Sequence, residues 1–331
     1  MAAPAAPPPK LSRRSGQLRH DAAQADAIRE LLPSGWELAG RRVLDFGCGP
    51  GDVLRHFTQD RAELHACDPD PECVEWLHER LSPPVHGFVR PPVPPLPLEA
   101  GTLDLVWATS AFTRLAGDWA PWLAELHRVL GPDGLLIAAF LGPGMAEETL
   151  GEPWDDERLG MTVADLDPSG EDGGPVAVHA RWWIEAHWGR AFDLVDLRPD
   201  GFAAPPGAGA GVAVLRPRGE MPAPAELERV DADEPRELAA RRHELALLAA
   251  RREDAEAGHA AATAPLHDEL GRLSEGFRRE AAARQEAVAH RAELARRRDE
   301  LAVRFAVERD SRSMRLTLPL REGVHALRQR L

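Results

Sequence analysis

A short apolar segment, Arg42–Phe46 (RVLDF), runs straight into Asp45-Phe46-Gly47-Cys48-Gly49-Pro50-Gly51, and helical patterning resumes over 52–59. A buried strand that ends in closely spaced glycines and then turns into a helix leaves few folds open. Glycine permits positive φ, and it lets a ligand approach the backbone where a Cβ would stand in the way. In open α/β sheets such bends lie at the carboxyl ends of strands, where ligands bind. A plain strand–turn–helix corner is the bland alternative.

The neighbouring segments choose among those folds. Residues 62–67 (AELHAC) read as a second strand and 71–81 (PECVEWLHERL) as a helix. Residues 103–108 (LDLVWA) read as a strand, 118–130 as a helix and 135–141 (LLIAAFL) as a strand. Strands alternating with helices imply parallel βαβ units, hence an α/β, Rossmann-like doubly wound sheet. Before it, 21–33 reads as a helix stopped by Pro33-Ser34-Gly35. Residues 142–181, rich in Gly, Pro and acid, are too long for an ordinary connection and read as a functional loop or cap. A helix over 182–188 and two strands, 192–197 and 212–216, pairable as an antiparallel edge hairpin, complete a domain over 21–218.

Charge narrows the ligand. A dinucleotide site needs Gly-x-Gly-x-x-Gly, and the third glycine would fall at position 52, which is Asp52. A pyrophosphate would then meet a carboxylate at the helix start that ought to receive it. Asp45 and Asp52 instead suit a cationic, phosphate-free ligand. Asp68, at the end of the second strand, can accept hydrogen bonds from two ribose hydroxyls, as either nucleoside ligand would require.

Read together, VLDFGCGPGDVL, HACDPDPECVEWL, LDLVWATSAFTRL and WLAELHRVLGPDGLLIAAF resemble the motif series of class I S-adenosylmethionine-dependent methyltransferases, in order over about 42–141. The resemblance implies S-adenosyl-L-methionine as cofactor. It places Asp45, Phe46, Gly47, Gly49 and Gly51 around the methionine moiety, Asp68 and Pro69 at the ribose, and Ala108–Ser110 beside the transferring methyl group. The segment after the third strand, RPPVPPLPLEAG, lacks the polar adenine-contacting residue common in that family, so the adenine contacts stay unassigned.

Methyl transfer to a hydroxyl gains from a general base, and histidine suits that task. His179 and His187, in VHARWWIEAHWGRAF after the cap segment, are the candidates, with core packing as the alternative for each. Trp182, Trp183 and Trp188 read as core or as an aromatic wall for an acceptor. His127 reads as a packing residue. Cys48, Cys67 and Cys73 form no Cys-x-x-Cys pair, so no metal site or disulfide framework is expected, and a reducing cytoplasm fits.

The rest of the chain differs in kind. Residues 1–20 read as a disordered tail and 219–234 as an acidic linker. Residues 235–310, dominated by Ala, Arg, Glu and Leu, read as a helical extension with coiled-coil character, divided near Gly258 and Pro265. Leu273, Phe277, Leu294, Leu301 and Phe305 fit a heptad frame whose seam also holds Glu280, Arg284, Arg291 and Arg298, so homo-oligomerisation through this arm is one reading. Residues 311–331 form a basic amphipathic tail. Its segment Ser311–Arg321 resembles, with Met314 in place of tryptophan, the tail of helical extensions on bacterial polysaccharide-biosynthesis enzymes. That resemblance implies a sugar or glycan acceptor and a peripheral membrane or protein partner. A small-molecule acceptor, or an interaction protein working through its arm, are the alternatives. A net charge of −14 disfavours nucleic acid, and the longest apolar runs are too short to span a membrane.

Overall fold

In the computed structural model, residues 21–145, 149–151, 153–166 and 174–310 are described, with a few isolated positions beyond them. The expected tails, 1–20 and 311–331, lie essentially outside the described residues. The chain divides into two units, residues 1–249 and 250–331.

The first unit is built on seven strands: β1 (Arg42–Phe46), β2 (Glu63–Asp68), β3 (Val85–Val89), β4 (Leu103–Ala108), β5 (Leu130–Phe140), and, after a separate hairpin, β8 (Phe192–Phe202) and β9 (Ala210–Pro217). Their order is β3-β2-β1-β4-β5-β9-β8. Strands β1 to β5 are parallel, and β9 runs antiparallel to both β5 and β8. The chain leaves β1 toward β2 on one side, while β4 flanks it on the other. The end of β1 is therefore the switch point at which a crevice opens.

Apolar side chains on both sheet faces explain why these strands are nearly continuous hydrophobic runs. On one face Leu44, Phe46, Val106 and Leu136 pack under α3 (Trp119–Val129). On the other, Val43, Leu105, Trp107 and Ile137 pack with Ile28 of α1 (Asp21–Leu31) and Leu77 of α2 (Pro71–Arg80). Asp70 caps α2 by accepting from the Glu72 N–H at 2.9 Å, and Pro71 fills its first turn.

In the first unit one expectation needs correction and another gains detail. The helix expected over 52–59 is a single 3-10 turn, Leu54–His56. The cap segment carries a hairpin of its own, β6 (Met161–Leu166) with β7 (Gly174–His179). It attaches where the parallel strands end: Ala177 N–H donates to Thr113 O at 2.8 Å, and His179 N–H to Leu141 O at 2.7 Å.

After β7 come α4 (Arg181–His187) and then, beyond β9, the short α5 (Pro224–Leu227) and α6 (Glu237–Asp310). Leu227, Glu237 and Ala240 are buried in the first unit. In the second unit, α6 continues without the expected break. Pro265 lies inside it, and Gly258 is helical too. Proline removes the donor for the Ala261 carbonyl, but position 261 is exposed, so water can serve that oxygen. Strong helix formers on both sides carry the helix through. Exposed i,i+4 ion pairs support it, such as Arg284–Glu280 at 2.8 Å and Arg252–Glu256 at 2.7 Å. Among the described residues, no helix is long and apolar enough to cross a membrane.

Candidate active site

The bend after β1 is fixed by backbone hydrogen bonds and by the Asp68 carboxylate. Gly47, Gly49 and Gly51 have φ of 80°, 51° and 86°. The N–H groups of Gly47 and Cys48 both donate to the Cys67 carbonyl, at 2.8 and 3.1 Å. A Cβ on Gly47 would come within 3.1 Å of Ala111 Cβ, so the bend faces the segment that follows β4 across a narrow gap. Gly51 has a different reason: a Cβ there would lie 2.6 Å from Leu77 and 2.8 Å from Leu81, where α2 packs behind the bend.

Asp68 ends β2 beside this bend. One carboxylate oxygen accepts from the Gly49 N–H at 2.8 Å and the other from the Asp70 N–H at 2.9 Å. Each oxygen keeps a second lone pair for a ligand hydroxyl. Burial pushes its carboxyl up, against the pull of those two N–H groups. Asp45 is buried, and its Oδ2 has no hydrogen-bond partner. Desolvation raises its carboxyl to about 7; the Trp107 indole pulls it back and the Asp68 charge pushes it further up. A buried, unmatched acid beside a second acid is an arrangement that a bound cation would relieve. A pyrophosphate would aggravate it. The single 3-10 turn after the bend also lacks the long helix whose N-terminus a dinucleotide uses.

Residues 43–134 match a family model described as a methyltransferase domain. Those residues, which hold the glycine bend and both acids, form a methyltransferase domain. Its sequence is 32% identical over 130 residues to the malonyl-acyl-carrier-protein O-methyltransferase of Salmonella typhimurium, covering 39% of this chain and 49% of that protein. It is 30% identical over 152 residues to the enzyme of the same name from Serratia marcescens, covering 45% and 58%. The chain thus spans about half the length of these curated relatives. It is also similar to the crystal structure of a TehB-like SAM-dependent methyltransferase from Corynebacterium glutamicum, with a TM-score of 0.42 and 18% identity, covering 63% of this chain and 93% of that one.

Within the methyltransferase domain, the residues expected around the cofactor occupy one place: Asp45, Phe46, Gly47, Gly49 and Gly51 on the bend, Asp68 and Pro69 at the end of β2, Ala108 at the end of β4. The Phe46 side chain turns into the core, 5.3 Å from the Trp122 ring, so only its backbone belongs to the bend. One residue was missed by sequence reasoning. Arg90, directly after β3, stacks its guanidinium 4.5 Å from the Trp122 ring and 5.6 Å from that of Phe46. Its backbone N–H donates to the Asp68 carbonyl at 2.9 Å. Its position at the start of RPPVPP was the available signal, obscured by the prolines after it.

Both histidines expected as bases lie in the core rather than facing a cleft. His187 is fully buried, with Nδ1 2.6 Å from the Leu227 carbonyl and Nε2 3.0 Å from Glu237 Oε2. Its ring stacks on Trp183 at 4.4 Å. It joins α4 to the end of α5 and the first turn of α6. His179 is also fully buried and touches the rings of Phe140, Trp183 and Trp188; neither ring nitrogen has a partner among the described residues. Desolvation lowers it to about 3, so it stays neutral. Trp182, Trp183 and Trp188 are core residues: Trp182 donates to the Leu159 carbonyl at 3.0 Å, and Trp188 packs on Phe112 at 4.9 Å. Cys48 is buried, and burial together with the nearby acids raises its thiol well above the usual range, against any nucleophilic role.

Proposed function

We propose that this chain binds S-adenosylmethionine over the glycine bend and methylates an oxygen acceptor that is already anionic, of the carboxylate class. The observation that carries the cofactor reading is the pair of acids flanking the bend, with Asp45 buried and short of a partner. When bound, the cofactor would supply a methyl group on a cationic sulfur, the sulfur keeping the electron pair of the broken C–S bond as the acceptor oxygen takes the methyl. Asp45 would favour the cation electrostatically, Asp68 would hold the ribose, and Ala108–Ser110 would border the methyl group. The domain's part is orientation, which is the main demand of an in-line displacement.

The acceptor reading follows from proton balance. A hydroxyl must lose a proton, whereas a carboxylate at neutral pH has none to lose. His179 is too weak a base, and His187 is tied at both nitrogens. The names of the curated relatives point to oxygen methylation of a malonyl group on a carrier protein, over about half of their length. The segment Ser311–Arg321 favours instead a sugar hydroxyl of a surface-polysaccharide intermediate.

One experiment separates these readings. Purified protein is given methyl-labelled cofactor with malonyl-loaded acyl-carrier protein, free dicarboxylic acids, nucleotide sugars or an oligosaccharide. Label released by mild alkali identifies a methyl ester and supports the proposal. Alkali-stable label on a sugar overturns the carboxylate reading. Calorimetry that detects no cofactor binding overturns the cofactor reading.

A further inference from the structure

Along the second unit, one seam of α6 steps alternately by four and three residues from Leu266 to Phe305. Both of its ends are apolar and exposed: Phe277 is 71% and Phe305 68% accessible. Its middle is charged, with Glu280, Arg284 and Arg291. A parallel, in-register pair would set Glu280 against Glu280, and Arg284, Arg291 and Arg298 each against itself. Like charges at such sites oppose association.

Reversing one strand removes the conflict. We propose that α6 pairs with a second copy of this chain as an antiparallel two-stranded coiled coil, in the register that sets Leu270 opposite Leu301. In that register Leu266 meets Phe305 and Phe277 meets Leu294, so apolar residues face apolar residues at both ends. Glu280 then meets Arg291, an opposite-charge pair, and Arg284 meets the small Ala287. Leu273 meets Arg298, whose aliphatic stem can cover it. Two-fold symmetry repeats every one of these layers. At the flanks Glu269 approaches Arg304, again with opposite sign.

Neighbouring registers are worse. Sliding the strands one way sets Leu266 on Arg298 and Phe277 on Ala287. Sliding them the other way sets Arg284 on Leu294 and Leu270 on Glu308. The chosen register is thus the one that matches both apolar contacts and charge.

Sedimentation of the full chain, over concentrations from about 1 to 100 µM, should show a monomer–dimer equilibrium. Glu280→Arg should weaken self-association at least tenfold, because the arginine introduced in either copy would face Arg291 of the other. Adding Arg291→Glu should restore it to within about threefold. Orientation is read by disulfide trapping, since the native Cys48, Cys67 and Cys73 are buried. A mixture of Leu270→Cys and Leu301→Cys proteins should give a covalent dimer, and neither protein alone should. A strictly monomeric chain, failure of the charge swap to rescue, or trapping of either single variant with itself would overturn the proposal.

Discussion

Replacing Asp45 by asparagine should stabilise the cofactor-free protein, and more so at higher pH. The free side chain titrates at 3.8 and the buried one near 7. Because the folded value is the higher one, the folded state holds the proton more tightly. The penalty for ionising Asp45 is therefore absent well below pH 3.8, grows as pH rises, and levels off above 7. Linkage puts it at about 1.7 kcal/mol at pH 5 and about 4 kcal/mol at pH 8. Asparagine keeps the shape and removes the titration. Urea denaturation without cofactor should show the gain of Asp45→Asn over wild type widening by about 2.5 kcal/mol from pH 5 to pH 8. Cofactor affinity of the wild type should rise over the same interval, since a sulfonium or ammonium favours the ionised form. The variant should lose that pH dependence and bind more weakly. Stability curves for the two proteins that run parallel between pH 5 and 8 would refute the reasoning, because the carboxylate would then not be strained.

Asp68→Ala should weaken cofactor binding by about tenfold or more in calorimetry, through one or two lost charged hydrogen bonds. Release of the Gly49 and Asp70 N–H groups adds to the loss. His187→Ala leaves the buried Glu237 carboxyl with Arg241, 3.7 Å away, as its remaining charged partner and should cost about 1–3 kcal/mol in chemical denaturation. His179→Phe replaces an unpartnered buried imidazole with an apolar ring; steady-state assays should find turnover within about threefold of wild type, and a loss of a hundredfold would restore His179 as a candidate base.

The core of the sheet was readable because its strands are buried on both faces. RVLDF, LDLVWA and LLIAAFL are unbroken apolar runs, and the glycines punctuate the first of them. Asp45 and Asp68 stood out in the sequence because carboxylates are rare in strands buried on both faces. The errors arose where distant contacts decide. At Gly51 it is Leu77 and Leu81, packed behind the bend, that leave no room for a Cβ. The apolar pattern over 52–59 reflects Val53, Leu54 and Phe57 filling the core from an irregular bend, with one 3-10 turn. The β6–β7 hairpin lay hidden in a stretch rich in breakers. His187 could not be placed from sequence because its partners, Leu227 and Glu237, lie 40 and 50 residues downstream.

The anchoring of the arm sets where the protein can be cut. A boundary drawn at the acidic stretch before residue 235 looks natural, but it strips away Glu237 and Ala240, which are buried in the first unit. A polypeptide ending at 234 would expose the Trp182 and Gly160 surfaces that Ala240 and Arg236 cover, and would be prone to stick to itself. One carried on to Ala249 keeps that wall closed. The opening turns of the long helix are thus the last piece of the enzyme as well as the first piece of the arm.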